Sequence, residues 1–266
     1  MRKGILLIIF TLLVANTLFA QIFRFGVPNL EDYDMQRFHY GFSLGVDMVD
    51  VNLKTKSNYT SISPDYEIKE IYSKPVPAFN VGIIVNMRMG KYFDLRFIPG
   101  FSIAHCINLY YRFANPVMDP NSRKNDTASL ILRQIECHFI NFPLLVKFKS
   151  SRMHNVRFFA LAGGQIGIDM TSSKNTIPSV QYEGQVNVKP LLKNFDIQTV
   201  GGLGFDFYTT YFKLTTEFKV SLGVINMMKD IGNIKQDNID YYQTSPIYQG
   251  LQSIKSKIFT ISIIFE

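Results

Sequence analysis

The chain has no tryptophan, only two cysteines and little charge: 18% of its 266 residues are Asp, Glu, Lys or Arg, against about 25% for a typical soluble domain. Two cysteines cannot build a disulfide framework, so a disulfide-dense mini-domain is excluded. Beyond residue 20 there is no apolar run of 18 residues or more, which excludes a bundle of membrane-spanning helices. H-E-x-x-H, C-x-x-C and G-x-S-x-G are all missing, and His39, His105, His138 and His154 are scattered. The common metal and nucleophile signatures are therefore absent, and no cofactor is expected. The net charge of +7 comes without a clustered Lys/Arg face, so nucleic-acid binding is not expected either. What is abundant is apolar: 47% hydrophobic residues, with 14 Tyr and 23 Phe, which excludes disorder. Yet the mean hydropathy is only +0.06, so the apolar surface has to be dispersed along the chain.

Residues 1–20 read as an export signal. Arg2 and Lys3 precede an apolar or small run from Gly4 to Ala15, and Ala20 stands before Gln21 at a plausible cleavage site. An uncleaved anchor is the competing reading, but the run is short for a bilayer crossing of ~20 residues. Cleavage after Ala20 leaves 246 residues and lowers the net charge to +5, because Arg2 and Lys3 are lost. Residues 21–38 then form an N-terminal segment on the periplasmic side, and residues 39–266 carry the fold.

Beyond the leader the recurring pattern is strict alternation. Phe79, Val81, Ile83, Val85, Met87 and Met89 alternate with Asn80, Gly82, Ile84, Asn86 and Arg88. Phe212, Leu214, Thr216, Phe218, Val220, Leu222 and Val224 alternate with Lys213, Thr215, Glu217, Lys219, Ser221 and Gly223. Period two means β-strand with one greasy and one polar face. Eight such segments are expected, at 39–54, 79–89, 92–112, 128–149, 155–171, 195–209, 211–226 and 253–266. Their connections alternate strictly between short and long. Gly90-Lys91, Ser150 to His154 and Thr209-Thr210 are short; 55–78, 113–127, 172–194 and 227–252 are long and rich in turn residues such as Ser63-Pro64-Asp65 and Asp119-Pro120-Asn121.

A soluble sandwich or lipocalin-like barrel has no reason to place every long connection after an odd-numbered strand. A transmembrane barrel does, with short periplasmic turns and long extracellular loops. The expected fold is therefore all-β: an eight-stranded antiparallel transmembrane barrel in a Gram-negative outer membrane. Lipid leaves no backbone group unpaired, so the sheet must close.

If the apolar set faces lipid, the lumen receives a mixed-sign network that includes Arg88, Arg96, Lys147, Arg157, Asp169, Asp206, Glu217 and Lys219, together with Asn80, Asn86, Asp94, Asp196 and Lys213. Eight strands leave an interior just wide enough for side chains, so the expectation is a charge-paired plug rather than a channel. Gly163, Gly164, Gly167, Gly201, Gly202 and Gly204 fit close strand packing. Tyr40, Tyr92, Tyr110, Tyr111, Tyr208 and Tyr211 suit interfacial aromatic girdles. Cys106 and Cys137 lie 15 and 16 residues from Asn121, nearly opposite in a simple hairpin. In an exported chain this predicts a cross-strand disulfide, unless a bulge separates two thiols. A lipid-modifying site could use His39 with Ser43, or His138 with a nearby serine, but such pairs meet by chance and no enzyme is expected.

One resemblance adds to this reading. Phe79 to Ile83, continuing through Arg88-Met89-Gly90-Lys91-Tyr92-Phe93-Asp94-Leu95-Arg96-Phe97-Ile98-Pro99-Gly100, resembles the signature of the PorT family of Bacteroidota outer-membrane proteins. Asn29 to Asp34 before His39-Tyr40-Gly41-Phe42 is similar to that family's N-terminal segment. Asn141 to Ser150 resembles its "EFPLLLKYKS" block, with Asn141 where glutamate is expected. Gly204 to Tyr208, Tyr211 to Lys213 and Glu217 to Lys219 resemble its late hairpin. The resemblance implies a non-enzymatic component of the type IX secretion system, with outer-membrane and periplasmic secretion proteins and outer-membrane lipid as partners and no small-molecule substrate. The resembling blocks cluster at the short turns, so Lys91 and Arg152, with the segment from Gln21 to Phe38, are expected to carry a periplasmic partner contact. A structural or adhesive small barrel acting through its extracellular loops is the alternative.

Overall fold

The computed structural model describes residues 28–57, 60, 67–118, 127–170, 192–229 and 250–266. The expected leader lies outside the described residues. The alternating segments form strands β1 (Phe38–Thr55), β2 (Ile68–Lys74), β3 (Val76–Arg88), β4 (Phe93–Phe97), β5 (Gly100–Met118), β6 (Thr127–Lys149), β7 (Val156–Asp169), β8 (Phe195–Tyr208), β9 (Lys213–Gly223) and β10 (Leu251–Phe265). Two breaks are made by proline, which has no N–H for a ladder: β2 and β3 meet at Pro75, and β4 and β5 meet at Ile98-Pro99. Each pair acts as one wall. The ten described strands thus make eight walls, paired antiparallel throughout, and β1 closes the ring by pairing with both β10 and β3.

The three short connections are turns at one end. The other end differs from expectation. Segments read as loops at 55–78 and 113–127 are partly strand, because β2 occupies 68–74, β5 runs to Met118 and β6 starts at Thr127. Ile68, Ile71 and Phe113 of these segments point inward and are buried, as are Leu109 and Tyr111 just before Phe113 on β5. They therefore build a core. β6, with 23 residues at ~3.4 Å rise, reaches about 55 Å of height at a ~45° tilt, against a hydrocarbon layer of ~30 Å.

The extra height carries an inversion of polarity. On β1 the exposed residues from the turn end upward are Phe38, Tyr40, Phe42, Leu44, Val46 and Met48, while His39, Ser43 and Asp47 are buried. Above Met48 the faces exchange character: Val49 and Val51 are buried, and Asn52, Lys54 and Thr55 are exposed. β10 repeats this, with Phe259, Ile261 and Ile263 outward below and Ile254 and Ile258 buried above. On β5 a bulge between Ser102 and His105 makes the exchange. Phe101 and Ile103 face out, yet Ile107, Leu109, Tyr111 and Phe113, of the same parity, are buried. The lower barrel is thus apolar outside and polar inside, as lipid demands. The upper barrel has the opposite arrangement, a water-soluble sheet around an apolar core that includes Ile135, Phe139, Leu192, Met227 and Met228.

Candidate functional site at the short-turn mouth

The lower lumen is filled by ion pairs on inward positions. Arg96 of β4 binds Glu217 of β9 and, at 3.1 Å, Glu266. Lys147 of β6 donates to both oxygens of Asp206 on β8 at 2.8 and 2.7 Å, and Thr215 donates to the same carboxylate at 2.6 Å. Lys149 pairs with Asp94 at 2.7 Å, which also accepts from Asn86 at 3.2 Å. Lys213 pairs with Glu266, and Lys219 with Glu217 at 3.2 Å. The Phe159 ring packs against the network, with its centroid 3.7 Å from the Lys147 ammonium. Each charge has lost its water, so it persists only because opposite charges and hydrogen bonds replace the hydration. Above the network a cavity of about 60 Å³ is lined by residues that include Asp47, Asn80, Lys219 and Thr260. That is room for a few waters at most.

The structure therefore brings together Arg96, Lys147, Asp206, Glu217 and Lys219, with Asp94 and Lys213, which the alternation also placed inside. Lys149 and Glu266 were missed, although each lies two residues beyond an inward position, Lys147 and Ile264. Three expected members lie elsewhere. Asp169, at the far end of β7, accepts the backbone N–H of His138 at 3.2 Å. Arg88 stands at the rim, donating to the Met35 carbonyl at 3.2 Å. Arg157 turns to the mouth.

Across that mouth lies the segment from Pro28 to Arg37, which includes a 3-10 turn at Tyr33–Met35. Arg157 grips Asp34 with two parallel hydrogen bonds of 2.9 Å, the fork geometry suited to guanidinium and carboxylate. The Tyr208 hydroxyl donates to the same carboxylate at 2.9 Å. Arg152 donates to the carbonyls of Asn29 and, at 3.3 Å, Leu30, and to that of His154 at 2.6 Å, while lying 3.8 Å over the Tyr208 ring. Asn29 donates its backbone N–H to Asn155 at 2.8 Å and its side-chain amide to the Tyr208 carbonyl at 3.0 Å. Tyr33 stacks on His39 and donates to Glu266 at 3.4 Å, which joins the strap to the buried network. Burial, and then the carboxylates of Glu266 and Asp206, push the Tyr33 phenol above its ordinary range, so it remains a neutral donor.

Arg152 is thus spent on the chain's own strap, whereas Lys91 is exposed beside Tyr92. The expected tyrosine girdle divides. Tyr40, Tyr92 and Tyr211 are exposed, but Tyr111 and Tyr208 are buried inside. His39 donates from Nε2 to the Tyr33 carbonyl at 2.7 Å. Ser43 lies four strand positions away, about 13 Å along the rise, so the two do not meet. The hairpin bulge places Cys106 opposite Glu136 and Cys137 opposite His105, one step out of the register expected for a disulfide. The Cys106 side chain itself lies outside the described residues.

A closed antiparallel ring with a greasy belt and a charged lumen is what an outer-membrane barrel requires. The family described as outer membrane protein beta-barrel domain matches residues 19–229. The chain belongs to that family. It is therefore an outer-membrane protein, with its short turns periplasmic and its tall end extracellular. No curated protein matches the chain. Among solved structures, Neisserial surface protein A is similar over 86% of this chain and 98% of its own, with 9% identity and a TM-score of 0.38. Ail, the attachment invasion locus protein of Yersinia pestis, is similar over 87% of this chain and 99% of its own, with 10% identity and a TM-score of 0.34.

The strap is held by polar contacts centred on one carboxylate. Asp34→Ala is expected to release it at a local cost of ~1–3 kcal/mol. Amide exchange over Asn29 to Gln36 should accelerate, while the ladders of β3 and β9 stay protected. Unchanged exchange in the strap would show that Asp34 does not hold it.

Proposed function

We propose that this chain is a non-enzymatic, non-conducting outer-membrane barrel that acts through contacts at its extracellular end, as a small structural or adhesive barrel. The observation that supports this most is where the chain invests its structure. The lumen is packed with ion pairs and strapped at its periplasmic mouth, whereas the outer end rises well above the lipid on an apolar core of its own. The reading includes export by a cleaved leader at residues 1–20, outer-membrane lipid as the surroundings, and no cofactor or small-molecule substrate. Deleting the gene should alter surface adhesion while secretion of other proteins continues undiminished. Unprocessed secretion substrates accumulating in the periplasm would overturn it.

That second outcome belongs to the type IX secretion reading, in which the barrel contacts secretion proteins of the outer membrane and periplasm. The resemblance of Phe79 to Gly100 and of the late hairpin supports it, together with the exposure of Lys91 at a periplasmic turn. Several charged residues of the resembling blocks nevertheless belong to the buried ion pairs, among them Asp94, Arg96, Lys147, Asp206, Lys213 and Glu217. At those positions lumen packing is reason enough for the similarity. Lys91→Glu lowers secretion only if the second reading holds.

A further inference from the structure

We propose that the outer wall formed by β10, β1, β2 and β5 is a binding site for the phosphate groups of an outer-leaflet glycolipid. The ladder registers fix the height of each side chain there. On β1, Met48 is the last exposed apolar residue, level with Phe259 of β10 and Pro77 of β3. The next outward position is Asp50, opposite Lys257 on one side. On its other side is the end of β2, where Ser73 donates to the Asp50 carboxylate and to the Val51 carbonyl and Lys74 follows. Lys257 and Lys74 therefore stand at one level, at the upper edge of the greasy belt. One position higher are Lys255, opposite Asn52, and the pair Tyr72 and Tyr110. Lys54 and Arg112 lie above these.

The aromatic pair is built rather than incidental. Tyr72 and Tyr110 are paired across β2 and β5 and stack with ring centroids 5.1 Å apart and 7° between planes. The Lys74 ammonium lies 5.0 Å from the Tyr110 centroid and 5.9 Å from that of Tyr72. The Arg112 guanidinium lies 5.8 Å from Tyr72. The Lys257 ammonium lies 5.3 Å from the Phe259 ring centroid, at the upper edge of the belt. Against these cations, the described acids of this face are Asp50, Glu67 and Glu70. Asp50 is turned to Ser73 and the Val51 amide, and Glu70 is engaged by Arg112 at 3.4 Å. The surplus is positive.

Tyrosines backing lysines at the boundary between lipid and water suit a ligand with phosphates directly above acyl chains. A soluble anionic polymer would match the charge but has no use for the apolar residues directly below, Met48, Phe79 and Phe259. A glycolipid, which uses both, is therefore the occupant. The inference does not rest on the adhesive reading, since a barrel of either proposed function sits in the same leaflet.

The test uses the full mature barrel in nanodiscs of phosphatidylcholine doped with lipid A, which carries two phosphates, or with its dephosphorylated form. Bound glycolipid is counted by native mass spectrometry, and thermal unfolding is followed in parallel. Retention of lipid A, at least tenfold above the dephosphorylated form and lost in the variant K74Q/R112Q/K257Q, is the expected result. Lys91→Gln, at the opposite rim, should bind as the parent does. Equal retention of the two lipids, or full retention by the triple variant, would overturn the proposal. So would tighter binding of soluble heparin than of lipid A, since this would identify a polysaccharide as the occupant.

Discussion

Replacing Arg96 with methionine is expected to cost the folded barrel roughly 3–5 kcal/mol, the range for removing one member of a buried ion network. Arg96 is fully buried and holds two carboxylates, Glu217 and Glu266. Its loss leaves Glu217 with Lys219, and Glu266 with Lys213 and the Tyr33 hydroxyl, with fewer hydrogen bonds to replace lost water. Urea unfolding in neutral vesicles, read by tyrosine fluorescence because the chain has no tryptophan, would measure the change. Arg112→Met in the same vesicles is the contrast. Arg112 also forms an ion pair, with Glu70, but both side chains are about half exposed, and such surface pairs contribute ~0–1 kcal/mol. Adding Glu217→Gln to Arg96→Met should recover part of the loss, because one stranded charge disappears. A loss from Arg96→Met no larger than that from Arg112→Met would show that the network is not what holds the lumen.

The second large effect concerns a residue without a side chain. At Gly204 of β8 an added methyl would collide with the Thr216 carbonyl oxygen of β9 and with the edge of the Phe159 ring. That ring underlies Lys147 and cannot swing aside without disturbing the Lys147–Asp206 pair. Gly204→Ala should therefore destabilise by ~1–3 kcal/mol or prevent folding, the usual cost of overpacking. Gly201, three residues away on the outward face, has no atom within 4 Å of such a methyl. Gly201→Ala should be neutral or add a few tenths of a kcal/mol by restricting the unfolded chain. Fold recovery from urea into vesicles, scored by heat-modifiable migration on gels, separates the two. Equal behaviour would contradict the close approach of β8 to Phe159.

Alternation was enough to give the barrel, its eight walls and the sign-balanced lumen, because lipid outside and paired charge inside impose a simple period on each strand. Arg96, Lys147, Asp206 and Glu217 could be placed by counting alone. The height of the outer end was not read, although β1 carries a signal for it. The apolar set moves from even positions up to Met48 to odd positions from Val49, and two adjacent apolar residues mark the exchange. On β5 the bulge conceals the same event, since Phe101, Ile103, Ile107 and Leu109 keep one parity while the wall turns them from lipid to core. The bulge also shifts the register of Cys106 and Cys137. The strap was out of reach for a different reason. Its contacts join Asn29 and Asp34 to Arg152, Arg157 and Tyr208, more than a hundred residues away, and no local period encodes a contact at that separation.

The polarity exchange above Met48 also sets how deeply the protein can ride in its bilayer. A barrel with a uniform greasy surface could slide to match a thicker membrane. Here, sinking by one outward position, about 7 Å of strand, would carry Asp50, Lys74 and Lys257 into hydrocarbon. The cost would rise toward ~2–4 kcal/mol per cation with depth. Rising by the same amount would strip lipid from Met48 and Phe259 at the top of the belt and draw the polar short-turn end into hydrocarbon. The chain therefore acts as a depth gauge: a bilayer of different thickness has to deform around it rather than reposition it.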